Sequence, residues 1–259
     1  MKFKVITMLS LATLGVLASQ KVVNAEELKT YQSNGSVKFI PNLDPTDPVD
    51  PEKPDPENPV KPIDPTDPEG PNPGTQGPLS IDYASSLDFG TNRISNKDQI
   101  YYARAQSYEG DQQDTPNFVQ ISDHRGTNSG WTLKVKQEGE FTATSETLNN
   151  VLTGAQITFK EPKVNSNAKN VEEPIPSEII TLKVGEESLV TSAKAGTGAG
   201  TWATYWGNVE TVEEHLESGE TKMVNVTKAV KLSVPGATPK DAVTYQTKLV
   251  WSLTDTPGQ

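Results

Sequence analysis

The sequence predicts an all-β protein: an antiparallel β-sandwich or barrel-like single domain preceded by a Pro/Asp-rich extended segment. Three observations carry this. From Leu79 onward short runs alternate apolar and polar residues, among them Trp131 to Lys136, Gln156 to Lys160, Ile179 to Val184 and Val226 to Val234. An alternation of period two is the pattern of a half-buried strand. Clusters of Gly, Pro, Asn and Ser separate the runs, as at Thr127-Asn128-Ser129-Gly130, Asn165 to Asn170 and Pro235-Gly236, and such clusters are turn chemistry. Helical periodicity is scarce; Val212 to Leu216 is the one place where a short helical turn is expected. Strands at this spacing assemble as antiparallel pairs.

Residues 1–25 read as an export signal. Lys2 and Lys4 supply the positive start, Phe3 to Ala18 an apolar core, and Val23-Asn24-Ala25 a small-residue cleavage site. The apolar stretch is too short to span a bilayer, and no other segment of the chain has the length and hydropathy to do so. Cleavage after Ala25 leaves Glu26 first. The sequence ends Thr256-Pro257-Gly258-Gln259, without a hydrophobic tail or an LPxTG-like sorting signal, so retention at a surface is expected to rest on non-covalent contacts. Residues 26–40 are a short piece in which Ser36-Val37-Lys38-Phe39-Ile40 alternates like a strand; this strand is expected to join the main sheet.

Residues 41–78 form a low-complexity stretch in which Asp44-Pro45-Thr46-Asp47-Pro48 recurs as Asp64-Pro65-Thr66-Asp67-Pro68. Proline fixes φ and lacks a donor, so neither a helix nor an interior strand is possible. The expected state is a disordered linker or loop in solvated polyproline II, which fully extended would reach on the order of 100 Å at ~3.1 Å per residue. Spacer and surface loop are equally compatible with the composition. Residues 79–259 are the β-domain, about 180 residues, ample for one core. The sequence has no Cys, so no disulfide helps it.

Removing the signal takes away Lys2, Lys4 and Lys21 and no acid, moving the formal charge from −11 to −14. Such a field opposes nucleic acid and anionic lipid. It also opposes anionic wall polymers, so recognition there must be local and short-range.

The two most regular strands each carry a Trp-x-Leu triplet. In the last, Val243, Tyr245, Thr247, Leu249, Trp251 and Leu253 share one face, with Ser252 on the other. In the earlier, Trp131, Leu133 and Val135 oppose Thr132, Lys134 and Lys136. Burying a Trp removes about 150–250 Å² from water, worth several kcal/mol at about 25 cal/mol per Å² before entropy opposes it. The pattern leaves open whether the rings are core or face a ligand.

Other constellations are weaker. Asp123 and Arg125 lie two apart, placed for a salt bridge or for an Arg clamp on a carboxylate. Trp202, Tyr205 and Trp206 follow the Gly196-Thr197-Gly198-Ala199-Gly200 run. Trp202 and Trp206 share parity and Tyr205 lies opposite, so a regular strand exposes at least one ring; core packing or turn closure is the favoured role, and stacking on a sugar is the alternative. Ser122-Asp123-His124 has the letters of a triad, but neighbours on one segment cannot form one, and no Gly-x-Ser-x-Gly elbow occurs. The only histidines, His124 and His215, lack zinc-site spacing, and no Asp-x-Asp-x-Asp-Gly calcium loop is present. Neither catalysis nor a cofactor or metal is expected.

The ordered set Leu79-Ser80-Ile81-Asp82-Tyr83, Leu87-Asp88-Phe89-Gly90, Ser122 to Gly126, Gly130 to Leu133, Gly198 to Trp202 and Leu249 to Thr254 resembles the WxL-domain cell-surface proteins of Gram-positive bacteria. The resemblance spans the whole mature chain. It implies a protein exported to the cell wall that attaches non-covalently to peptidoglycan, and partnership with WxL-interacting surface proteins in a surface complex. It implies that the motif residues are Trp131, Thr132, Leu133, Trp251, Ser252 and Leu253. Asp123, Arg125, Trp202, Tyr205 and Trp206 are candidate accessory contacts. The alternatives are an adhesin for host matrix proteins or foreign glycans and, least favoured, a wall hydrolase.

Overall fold

The computed structural model describes residues 29–216 and 218–258; the export signal expected at residues 1–25 lies outside them. Every element of regular structure described is a strand. In chain order these are β1 (Leu79–Ala84), β2 (Gln99–Arg104), β3 (Phe118–Asp123), β4 (Trp131–Gln137) and β5 (Thr142–Ala143). Next come β6 (Gln156–Lys160), β7 (Pro162–Asn165), β8 (Ile175–Pro176), β9 (Ile179–Thr181) and β10 (Glu187–Ala193). The last are β11 (Gly200–Trp206), β12 (Val209–His215), β13 (Thr221–Val234), β14 (Tyr245–Gln246) and β15 (Leu249–Thr254).

They form a sandwich-like arrangement of antiparallel sheets. The first sheet runs β1-β3-β11-β7 and the second β15-β4-β10-β8. The third runs β12-β13-β6-β9 with β2 also on β13, and β14-β5 makes a short ribbon. One core joins the three large sheets, with Val119 and Ile121 from β3, Trp131, Leu133 and Val135 from β4, Phe159 from β6, and Trp202 and Trp206 from β11. Within it the hydroxyls of Thr191 on β10 and Thr204 on β11 hydrogen-bond at 2.8 Å, so the two buried polar groups satisfy each other.

The alternation fixes which side chains enter the core, but the first sheet is covered on both faces. All six residues of β3 are buried. Val119 and Ile121 face the main core, whereas Phe118 packs with Tyr83, Tyr108, Ala203 and Tyr205 in a second cluster. What covers that cluster is the Pro-rich segment. The Gln120 side chain, fully buried, accepts from the Val49 N–H at 2.8 Å and donates to the Asp47 carbonyl at 3.0 Å. Ile63 N–H donates to Ser107 O and Glu109 N–H to Lys61 O, both at 2.9 Å. Val49 is only 3% exposed. The solvated polyproline II expected of either a spacer or a loop is therefore replaced by a strap laid on the sheet. Proline lacks a donor, yet its carbonyls and the N–H groups of Val49, Val60 and Ile63 still bond, and its stiffness reduces the entropy lost on docking.

A β-bulge sharpens this contact. The register of β1 on β3 slips between Ile81 and Tyr83, leaving Asp82 as the extra residue. Asp82 accepts hydrogen bonds from Ser80, Ser122 and Gln120 at 2.6–2.9 Å. Burial holds its carboxyl above the usual range, with those three donors pulling the other way.

Three further expectations change. Residues 36–40 form no strand, and Val37, Phe39 and Ile40 are exposed. Val212 to Leu216 is not a helical turn: β12 pairs with β13 through His215↔Thr221, a hairpin whose partner lies beyond the reach of a periodicity argument. The terminal run is two strands rather than one, since Tyr245–Gln246 pairs with β5 and only from Leu249 does the chain join β4.

Candidate functional site

The fold brings the two Trp-x-Leu triplets side by side. β15 pairs with β4 so that Leu253 lies opposite Leu133 and Trp251 opposite Val135. β4 is interior, flanked by β15 and β10, while β15 is the edge strand. Trp131 and Leu133 are completely buried. The Trp131 indole donates to the Gly198 carbonyl at 2.9 Å. Two glycines shape its slot: Gly130 and Gly198 both have positive φ, and a Cβ on either would come within 2.4 Å of Ala193 atoms. Only glycine accepts that backbone and that approach. Trp251 and Leu253 are half-buried against the same core, and the Trp251 ring lies 6.4 Å from that of Trp206.

The accessory aromatics are not free platforms. Trp202 and Trp206 are 3% and 2% exposed, and the Trp202 indole donates to Ala199 O at 2.9 Å. Tyr205 does lie on the opposite face, as parity predicts, but there it is buried with Tyr83 and Phe118. Core packing, the favoured of the roles open to these rings, is the one they have; the ring placed on the outer face is covered by the strap.

Asp123 and Arg125 do form the anticipated pair. The guanidinium donates to both carboxylate oxygens, at 2.9 and 2.7 Å, and to the Gly130 carbonyl at 2.7 Å. The Asp123 hydrogen bond raises the Arg125 pKa further. This brace fixes the turn that delivers Trp131 into β4. The triad letters next to it are dispersed: the Ser122 hydroxyl is buried and bonded to Asp82 and Thr201. Among the described residues, no group of three or more His, Asp or Glu side chains is placed to hold a metal ion.

The residues between Trp and Leu point the other way. Thr132, Lys134 and Lys136 alternate with the buried side chains of β4, and Ser252 sits across from Lys134. Ser192 and Leu189 of β10 pair with Thr132 and Lys134, and Lys134 Nζ bridges Glu187 at 2.9 Å. The outer face of the second sheet thus carries lysines and hydroxyls among Glu187, Leu189 and Val250, and the Thr132 hydroxyl donates to the Thr256 carbonyl at 2.8 Å.

A feature that the linear pattern does not announce lies at the open edge of this sheet. A cleft of about 1320 Å³ opens between β1 and β15, walled by Phe89, Leu249 and Trp251 and floored by the core residues Phe141, Ile157 and Leu232. Its far wall is tied by Arg104, which bridges Glu214 and, at 3.9 Å, Asp88. The Arg104 bond holds the Glu214 carboxyl below its usual range. Sequence could have flagged Phe89 and Trp251 only as apolar residues, because the cleft exists through the pairing order.

A single antiparallel β-domain whose paired motif strands turn one face to the core and a polar face outward is built as a binding module for a surface. The chain belongs to the family of WxL domain surface cell wall-binding proteins, whose family model matches residues 26–257. No curated protein and no solved structure matches it. The protein therefore acts at the cell surface by attachment to the cell wall. Among the described residues no helix is long and apolar enough to cross a membrane.

Proposed function

We propose that the domain holds the protein on the wall by binding peptidoglycan through the outer face of the second sheet, as a structural member of a surface complex with companion WxL-interacting proteins. One observation carries this reading: Trp131 and Leu133 are wholly inside, while Thr132, Lys134, Lys136 and Ser252 share the opposite face across the β4–β15 pair. The motif then has two tasks. Its Trp and Leu weld the strands; of its middle residues Ser252 presents a hydroxyl that matches sugar hydroxyls and amides, while the Thr132 hydroxyl is held by the Thr256 carbonyl at 2.8 Å. The lysines offer charge to stem-peptide carboxylates over a short range, which salt leaves effective within about 10 Å. Each exposed contact is worth only about 0–1 kcal/mol, so affinity comes from many contacts along a repeating polymer.

Sedimentation with purified sacculi, with walls stripped of teichoic acid and with immobilised matrix proteins tests the assignment. Equal binding to intact and stripped walls is the expected result. Binding confined to matrix proteins would establish the adhesin in its place, and release of muropeptides from sacculi would establish a hydrolase.

A further inference from the structure

We propose that the cleft between β1 and β15 is a saccharide-binding site that takes several units of a chain of N-acetylated pyranose sugars. It is a different surface from the outward face of β4 and β15. It rests on the wall-attachment reading and deepens it by naming the glycan chain as the part of the polymer held here.

The placement of aromatic rings carries the argument. Among the described residues five aromatic side chains are half-buried: Phe89, Tyr101, Tyr102, Tyr245 and Trp251. Four of the five, all but Tyr102, line this one cleft. Each of the four packs against the main core, so one side of the ring is fixed and the rest is open. Phe89 stands edge-on to Phe141 with centroids 6.3 Å apart, and Trp251 lies 6.4 Å from Trp206. The Tyr245 hydroxyl donates to the Asn149 carbonyl at 2.6 Å and accepts from the Asp241 N–H at 2.9 Å. Rings held in this way are stacking platforms for the C–H face of a pyranose, and a preformed site loses little freedom on binding. The floor is closed by the core residues Phe141, Ile157 and Leu232, so a ligand lies along the cleft. At about 1320 Å³ the space exceeds the roughly 300–1,000 Å³ of a small-molecule pocket, which suits a run of sugars over a single one.

Charge does not choose the occupant. The Asp64 carboxylate accepts from Thr66 at 2.7 Å and Ser86 at 2.6 Å, Asp88 from the Gly90 N–H at 2.8 Å, and Asp241 from Asn149 at 2.8 Å. Lys240 donates to the carbonyls of Ser95 and Thr238 at 3.1 and 2.8 Å. Arg93, Lys248 and Asp67 stand on the wall with both signs. Stacking and neutral hydrogen bonds therefore select the ligand.

The neutral groups are of two kinds. Thr91, Thr244 and Gln246 line the cleft with exposed side chains that have no hydrogen-bond partner among the described residues. The edge of β15 supplies the rest. Glu138 N–H donates to Lys248 O at 2.9 Å, and bonded pairs alternate along an antiparallel ladder. Val250 and Ser252 thus bond toward β4, and the N–H and C=O groups of Leu249 and Trp251 aim at the open side. An acetamido group is itself a peptide-like amide, with one donor and one acceptor, and meets a strand edge as a neighbouring strand does.

The unmodified protein contains its own reporter. Of its four Trp residues, Trp131, Trp202 and Trp206 are buried and only Trp251 is half-exposed. Protein beginning at Glu26 is titrated with N-acetylglucosamine oligomers and with glycan fragments of sacculi freed of stem peptides. A saturable shift of indole emission and shielding of Trp251 from acrylamide are expected, tighter for tetramer than for dimer. Tighter binding of the sacculus fragments supports the proposal with the wall as source, and tighter binding of the N-acetylglucosamine oligomers supports it with a foreign glycan as source. Phe89→Leu/Tyr101→Leu keeps apolar bulk but removes two stacking faces, and should weaken the tetramer about tenfold. Lys136→Glu/Ser252→Glu should leave oligomer binding unchanged. Neither shift nor shielding at millimolar oligomer overturns the proposal, whether or not sacculi are bound. So does equal affinity for cellotetraose, which lacks acetamido groups, and so does full affinity in the Phe89→Leu/Tyr101→Leu protein. Oligomer binding without any loss of sacculus binding in Lys136→Glu/Ser252→Glu supports the cleft and overturns the sheet-face reading instead.

Discussion

Trp131-Thr132-Leu133 and Trp251-Ser252-Leu253 are near-copies in sequence and unequal in place. The first lies on β4, with a strand on either side, and its Trp and Leu see no solvent. The second lies on the edge strand β15; its Trp and Leu are half-buried, with Trp251 on the wall of a cleft. The same triplet thus does one job with two consequences. It sends an indole and an isobutyl group inward and a hydroxyl outward, but burial is completed only where neighbours exist on both sides. Position in the sheet, rather than the motif itself, decides how much each ring stabilises.

The largest effect should therefore come from the interior copy. Trp131→Ala is expected to cost about 3–5 kcal/mol, the range for a fully buried aromatic, read from denaturant unfolding. Equal costs at both Trp sites would erase the distinction between interior and edge. Gly198→Ala should cost less, about 1–3 kcal/mol, through a strained positive φ and the contact with Ala193 and the Trp131 ring. Trp251→Ala should fall in a similar band, about 1–3 kcal/mol, because its ring is already part-exposed.

Two carboxyls sharpen the contrast by pH, with opposite signs. Thr147 and Asn149 donate to Asp241, beside the terminal strands, and lower its pKa to about 2. Its contribution is present above the ordinary carboxylate range and is lost as pH falls toward 2. Asp82, under the strap, has a pKa raised by burial. Its contribution is greatest in acid and fades as pH rises through the raised value. Carboxyl chemical shifts followed by NMR should show Asp241 titrating below, and Asp82 above, ordinary aspartates. Asp82→Asn should flatten the decline of stability at higher pH. A melting profile unchanged by that substitution would contradict the assignment.

Much of this was legible in the chain. Gln156 to Lys160 is a strand with the predicted ends, and the parity of Trp131, Leu133 and Val135 against Thr132, Lys134 and Lys136 is the parity of the structure. Alternation reports two faces of a strand; it does not report what comes to lie on either. That is why parity puts Tyr205 on the face it occupies but does not reveal that residues from a segment more than a hundred positions away cover it. The Pro/Asp repeats misled for a related reason: composition describes what a segment cannot form alone, and docking on Gln120 is not a local property. The cleft depends on which strands are left without neighbours, and no window of sequence contains that.

The central claim is that the motif's Trp and Leu serve the fold while its outward face grips the wall. The most direct measurement is the binding isotherm of a Lys136→Glu/Ser252→Glu double variant on purified sacculi, with its melting curve recorded alongside. The account predicts affinity reduced at least tenfold, about 1.4 kcal/mol, with stability changed by no more than about 0.5 kcal/mol, as for surface sites. Unchanged binding by this correctly folded variant would show that the wall is held elsewhere on the molecule.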